Sequence, residues 1–220
     1  MQRALGILGG TFDPVHLAHL RLAEEALDRL ALAAMRWIPS GRPGHRGEPS
    51  ASAADRVAML RLATAGNPRF SVDEGDAYSA QPTFTVNTLS RLRAELGNDT
   101  PLVLIIGADQ LHALDTWHEW RRLFEFAHVA VAERPGYAAI DAALPAAVAG
   151  EIGQRRAGAA AIRQRPAGAA VVFAMTALDI SSTAIRQAIG AGVSARYLLP
   201  DAILDYIASH RLYTQETGSR

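Results

Sequence analysis

Residues 4–19 read Ala4-Leu5-Gly6-Ile7-Leu8-Gly9-Gly10-Thr11-Phe12-Asp13-Pro14-Val15-His16-Leu17-Ala18-His19. The apolar run 4–8 stops at two glycines, which predicts a buried strand followed by a tight turn. Asp13-Pro14 then reads as a helix N-cap with proline at the first helical position. Leu17, Leu20, Leu27 and Leu30, with Ala23 between them, keep helical spacing to about residue 30.

Outward from this unit the same alternation repeats. Residues 36–39, 70–72, 102–106, 128–132 and 171–174 are predicted strands. Residues 55–65, 85–96, 117–126, 182–189 and 202–209 are predicted helices. The run 102–106 is apolar throughout and ends at Gly107, as expected of a central parallel strand buried on both faces. Residues 41–50 are rich in Gly and Pro and read as a loop. Residues 138–170 read as a helix plus a variable surface insertion, with Glu151-Ile152-Gly153 and Arg165-Pro166 breaking the pattern. The expected fold class is α/β: a single Rossmann-like, doubly wound parallel sheet with helices on both faces and right-handed crossovers. One domain, residues 1–212, is expected, with residues 182–209 as a small C-terminal helical region and 213–220 as a frayed tail. Ligands of such sheets sit at the carboxyl ends of the strands, near the switch point in strand order.

Composition narrows the chemistry. The 220 residues carry 22 basic and 22 acidic side chains, so neutral charge gives no electrostatic case for a nucleic-acid or membrane-surface partner. No cysteine is present, which removes disulfides, thiolate catalysis and Cys-ligated metal sites. No lysine is present either, and every basic residue is Arg. Schiff-base chemistry and a Walker-type lysine are therefore excluded. Phosphate must be held by Arg, His, hydroxyls, backbone N–H groups or a metal. No signal-peptide pattern and no 18-residue apolar run occur, so a cytoplasmic location is expected.

Two segments carry candidate chemistry. Gly9 and Gly10 let the backbone approach a ligand, and the helix start offers unpaired N–H groups suited to an anion. His16 and His19, three apart, fall on one face of the first turn. Spacing alone also allows surface histidines or half a metal site. The second segment, Ile180-Ser181-Ser182-Thr183-Ala184-Ile185-Arg186, follows the last strand. Ser181 or Ser182 would cap the helix, and capping accounts for the hydroxyls but not for Arg186.

Together the early G-G-T-F-D-P-x-H-x-x-H and the late I-S-S-T-x-I-R resemble the nucleotidyltransferase superfamily of α/β phosphodiesterase type. Within it the chain is similar to bacterial nicotinate-nucleotide adenylyltransferases. Pro82-Thr83-Phe84-Thr85, Gly107-Ala108-Asp109, Thr116-Trp117-His118-Glu119-Trp120 and Glu133-Arg134-Pro135-Gly136-Tyr137 carry the likeness, with the last two the more specific. The resemblance implies AMP transfer from ATP to nicotinate mononucleotide, with Mg²⁺ bound mainly through the ATP phosphates and no metal cage of protein ligands. It implies that His16, His19 and Arg186 are catalytic. Gly9, Gly10, Thr11, Phe12, Gly107, Asp109, Ile180, Ser182 and Thr183 are implied to bind ATP. Ser40, His45, Arg46, Thr85, Trp117, His118 and Arg134 are implied to bind the mononucleotide, Trp117 by stacking on the pyridine ring. A homo-oligomer is compatible with this reading.

The sequence departs from the family pattern in places. Ala18 stands where Gly separates the two histidines, and Gly44 replaces a proline before His45. Ser40, Thr83, Phe84 and His118 replace a common Asn, Ser, Tyr and Tyr. Competing readings are adenylyl transfer to another phosphate, such as nicotinamide mononucleotide or phosphopantetheine, and a non-catalytic nucleotide-binding protein on the same fold. Residues 55–61 and the Arg91/Arg93 pair read as solvated helix faces, and Trp37 and Trp120 as core.

Overall fold

The structure is a computed structural model and describes residues 4–43, 48–133 and 144–214. In chain order it begins with β1 (Leu5–Gly10), α1 (Leu17–Arg29), β2 (Ala34–Pro39), β3 (Arg42–Pro43), α2 (Ala53–Thr64), β4 (Phe70–Val72), β5 (Pro82–Thr83) and α3 (Thr85–Leu96). It continues with β6 (Leu102–Gly107), α4 (Ala108–His112), α5 (Leu123–Phe126), β7 (His128–Glu133), α6 (Ala146–Arg155), β8 (Ala170–Ala174), α7 (Ser182–Gly190) and α8 (Asp201–Ser209). Among the described residues, six strands form one sheet in the order β4-β2-β1-β6-β7-β8, and every pairing is parallel. β3 and β5 form a separate two-stranded pair. The strand order turns at β1 and β6: successive strands add on one side of β1 and then on the other. That is the switch point at which α/β sheets bind ligands.

Side chains alternate between two cores because successive strand residues face opposite sides. Leu102, Leu104 and Ile106 of β6, with Val129 and Val131 of β7, pack beneath α3, α4 and α5. Val103, Ile105, Ala130 and Ala132 face the other way, toward Leu27 of α1, Leu30 just after it, and Ile185, Ile203 and Ile207 of α7 and α8. Both faces of the sheet are covered, so β6 has no polar position between Leu102 and Ile106. Burying each Leu or Ile contributes about 1.5–3 kcal/mol, which makes this strand an anchor for both layers.

Several local expectations are corrected. α1 starts at Leu17 with His16 as its N-cap, not at Asp13-Pro14. The Asp13 carboxylate is engaged by the Ser50 and Ala51 N–H groups at 2.7 and 3.1 Å, so it cannot cap α1. No continuous helix spans 117–126. Glu119 is left-handed (φ 48°) and separates the turn at Leu114–Thr116 from a second short turn, Trp120–Arg122, before α5. Glu151-Ile152-Gly153 does not break α6, because Val148 and Ile152, four apart, both reach the core.

Two faces read as solvated are not: within residues 55–61, Arg56, Val57, Met59 and Leu60 are buried, and the Arg91/Arg93 pair is tied into the structure. Arg93 is buried and donates to the carbonyls of Gly97, Thr100 and Pro166, closing the connection into β6. Arg91 holds Asp73 through two N–H bonds of 3.1 Å. Tyr213, placed in a frayed tail by sequence, is half-buried against the core formed by α1, α7 and α8. Trp37 and Trp120 are core, as expected.

Candidate active site

A cleft of about 370 Å³ opens at the carboxyl ends of β1 and β6. Gly9, Gly10, Thr11, Ser40, Thr85, Asp109 and Trp117 line it, so seven residues singled out from the sequence meet there. Its floor is bare backbone. A Cβ built on Gly9 would meet no protein atom within 4 Å, whereas one on Gly10 would sit 3.0 Å from the Phe12 ring. Ile7, Leu104 and Ile106 supply the apolar wall beneath, and the Thr85 end of the cleft adjoins Phe84 and Trp117. Asp109 is exposed in the first turn of α4. It is not that helix's cap: Gly107 occupies the N-cap, and its N–H donates to Gln110 Oε1 at 3.0 Å.

His16, His19 and Arg186 do not line this cleft; they flank the next turn of chain. The His16 and His19 rings stack with centroids 3.7 Å apart. Phe12 meets His19 edge-on at 5.3 Å, and the same ring abuts Gly10, which does line the cleft. The His16 N–H donates to His19 Nδ1 at 3.3 Å, which leaves the proton of neutral His19 on Nε2. Burial lowers His16 to about 4. Burial, with a smaller contribution from His16, holds His19 well below the usual imidazole range. Both rings are therefore neutral at pH 7. Among the described residues, His16 Nδ1 is buried without a hydrogen-bond partner.

α7 closes on this turn from the other end of the chain. Arg186 Nη1 donates to the Asp13 carbonyl at 2.7 Å and lies 3.9 Å from its carboxylate. Ser182 Oγ donates to the Pro14 carbonyl at 2.9 Å. Its proton is thereby committed, so a ligand would be met by the backbone N–H groups of Ser182 and Thr183 instead. Ser181 is the cap of α7, accepting from the Ala184 N–H at 3.2 Å. Ile180 packs against the core, and Thr183 is exposed.

The remaining sequence candidates divide. His118 is exposed and does not line the cleft, and its ring lies against Phe84 at 4.5 Å. Gly107 and Phe12 lie beside the cleft without lining it. His45, Arg46 and Arg134 lie outside the described residues.

Sequence reasoning missed Arg56. It is 2% exposed, and its Nη1 donates to the carbonyls of Thr11 and Ser40 at 2.7 and 2.8 Å. One guanidinium thus ties together the loops that follow β1 and β2. Its signal was present: Arg56, Leu60 and Thr64 are four apart and share the inward face of α2. Asp76, also missed, lines the cleft and accepts from Thr88 Oγ1. Its carbonyl lies so near Gly41 that a Cβ there would come within 2.4 Å.

Comparison with known proteins identifies the family. The family described as cytidylyltransferase-like matches residues 7–188. A Dechloromonas aromatica protein named "probable nicotinate-nucleotide adenylyltransferase" is 51% identical over 97% of this chain and 99% of its own. A Cellvibrio japonicus protein of the same name is 43% identical over 97% of this chain and 100% of its own. In fold, the chain resembles Plasmodium falciparum nicotinic acid mononucleotide adenylyltransferase complexed with NaAD, with a TM-score of 0.71 and 16% identity over 96% of this chain and 98% of that one. The chain belongs to the cytidylyltransferase-like family and, within it, to the nicotinate-nucleotide adenylyltransferases.

Proposed function

We propose that this protein transfers the adenylyl group of ATP to the phosphate of nicotinate mononucleotide, giving nicotinate adenine dinucleotide and pyrophosphate for NAD biosynthesis. The observation that carries this reading is one cleft at the switch point. At one end it offers a glycine floor beside the His16–His19 turn; at the other it offers an aromatic and hydroxyl wall at Phe84, Thr85 and Trp117.

In this reading a phosphate oxygen of the mononucleotide attacks the α-phosphorus of ATP. The new P–O bond forms as the bond from the α-phosphorus to the bridging oxygen breaks, and pyrophosphate leaves with that electron pair. The nucleophile is already an anion, so no base is needed. The enzyme supplies alignment, for which proximity gives about 7–11 kcal/mol, and donors aimed at developing charge. His19 donates from Nε2 to the α-phosphate, with His16 beside it on the triphosphate. Arg186 and the Ser182 and Thr183 N–H groups take the β- and γ-phosphates. Gly9, Gly10, Thr11 and Phe12 border the nucleotide, and Ile180 and Gly107 flank its adenosine, with Asp109 holding the ribose. Trp117 stacks on the pyridine ring, and Thr85 and His118 meet its carboxylate through backbone N–H groups. Ser40 borders the acceptor phosphate, with His45, Arg46 and Arg134 assigned to the same anion.

Among the described residues, no group of three or more His, Cys, Asp or Glu could hold a metal ion. Asp13, the buried carboxylate of the phosphate turn, already accepts from Ser50, Ala51 and Tyr213. With Asp13 so engaged, this reading has Mg²⁺ carried by the ATP phosphates. The ion would add charge neutralisation on the triphosphate. A cytoplasmic location belongs to the same reading. Among the described residues, no helix is long and apolar enough to cross a membrane.

The test is pyrophosphate release from ATP with each acceptor in turn. Nicotinate mononucleotide should give the highest kcat/KM, above nicotinamide mononucleotide and phosphopantetheine. Release with phosphopantetheine but not with nicotinate mononucleotide overturns the assignment.

A further inference from the structure

We infer that Tyr213, near the end of the chain, is a positioning residue for the adenylyl transfer: its hydroxyl fixes Asp13, and Asp13 sets the phosphate turn against Arg186. The inference rests on the adenylyltransferase reading above. Tyr213 Oη donates to Asp13 Oδ1 at 2.7 Å, across 200 positions of sequence. Asp13 is itself buried, and its two oxygens also take the Ser50 and Ala51 N–H groups. Its own carbonyl accepts from Arg186. One residue therefore joins the turn after β1, the segment before α2, α7 and the C-terminal turn.

Backbone conformation at both ends of this bond points the same way. Phe12, directly before Asp13, has φ 52°, and Tyr213 has φ 63°. Bulky side chains rarely adopt the left-handed region, and such conformations persist where surrounding contacts over-determine them. Arg211 is also left-handed (φ 51°), so the chain turns back after α8 and lays Tyr213 against the core. Burial and the Asp13 carboxylate push the phenol above its usual range, so the hydroxyl remains a donor. Two further bonds hold the C-terminal region to the same place: the Leu17 N–H to the Leu198 carbonyl at 3.0 Å, and Tyr206 Oη to Asp55 at 3.0 Å. Neither reaches Asp13, so the Tyr213 hydroxyl has a separable effect.

The experiment compares Tyr213→Phe, Arg186→Ala and the double variant in the full chain, by pyrophosphate release from ATP and nicotinate mononucleotide and by thermal melting. Tyr213→Phe keeps the ring and its packing. It should lower kcat/KM for ATP about tenfold, less than the loss of a direct transition-state donor. The KM for the mononucleotide should change less than about twofold, because positioning through Asp13 acts on the ATP side. In the Arg186→Ala background the same substitution should cost less than about twofold, since coupled residues are not additive. Should the Phe variant melt below assay temperature, Asp13→Asn provides the second variant, with the same loss expected on the ATP side alone. A Tyr213→Phe enzyme equal to wild type overturns the proposal, as does an equal loss for both substrates or a full tenfold loss on top of Arg186→Ala. Wild-type protein without turnover overturns the adenylyltransferase reading and the proposal together, whereas an active wild type matched by the variant overturns the proposal alone.

Discussion

The neutral histidine pair makes stability depend on pH in a way that one substitution isolates. His16 sits near 4 in the folded protein because it is buried, against 6.5 when exposed. Between those values the unfolded chain binds a proton that the folded chain does not. Stability from this residue is complete above pH 6.5, is lost as the pH falls toward 4, and changes no further below that. Between pH 7.5 and pH 5 the linkage amounts to about 2 kcal/mol. For a chain of this size that corresponds to about 4–8 °C in melting temperature. His16→Asn removes the titration and keeps a polar side chain. Thermal melts of both proteins at pH 7.5, 6.5, 5.5 and 5.0 provide the measurement, and the difference between the two slopes is the quantity of interest. His19, His128 and the carboxylates titrate in both proteins and largely cancel. Wild type should lose about 4–8 °C more than the variant over this range. Parallel slopes would refute the claim that His16 is held neutral by burial, and with it the view that the stacked rings act as N–H donors rather than as cations in the free enzyme.

Three substitutions test the site more directly. His19→Ala should lower kcat by at least about 10²-fold, the range for losing one transition-state donor; an unchanged kcat in the pyrophosphate assay removes His19 from the mechanism. Trp117→Ala should raise the KM for the mononucleotide and leave that for ATP nearly unchanged, and equal effects in steady-state kinetics would assign the ring a packing role instead. Arg56→Ala strands the half-buried Thr11 and Ser40 carbonyls. It should cost about 3 kcal/mol or more in a denaturant melt, with both KM values raised in whatever folded fraction remains; wild-type stability would refute the clamp.

Much of the architecture was legible along the chain because it depends on local regularity. An apolar run ended by glycine, as at residues 4–10 and 102–107, specifies a buried strand and its stop whatever surrounds it. The boundaries that failed are those a distant partner decides. Asp13 has the residue type of a helix cap, but residues 50 and 51 take its carboxylate. Ile152 lies between Gly150 and Gly153 in sequence yet completes an inward face with Val148. Ser182 carries a hydroxyl in a recognisable motif, and only the approach of Pro14 shows that its proton is already used.

The sequence alone determined the strand and helix alternation, the absence of lysine and cysteine chemistry, and the residue types available to hold phosphate. These are properties of composition and of spacing over a few turns, and they survive without knowledge of the fold. Tertiary structure decided which of those residues meet. It put Gly9, Ser40, Asp109 and Trp117 on one cleft, stacked two histidines into a neutral pair, and turned Arg56 and Tyr213 from unremarkable polar residues, and Asp13 from an apparent helix cap, into the ties that hold the turn after β1. The physical reason is that hydrogen bonding and desolvation act over a few ångströms in space. The residues that supply them here are separated by as many as 200 positions of chain.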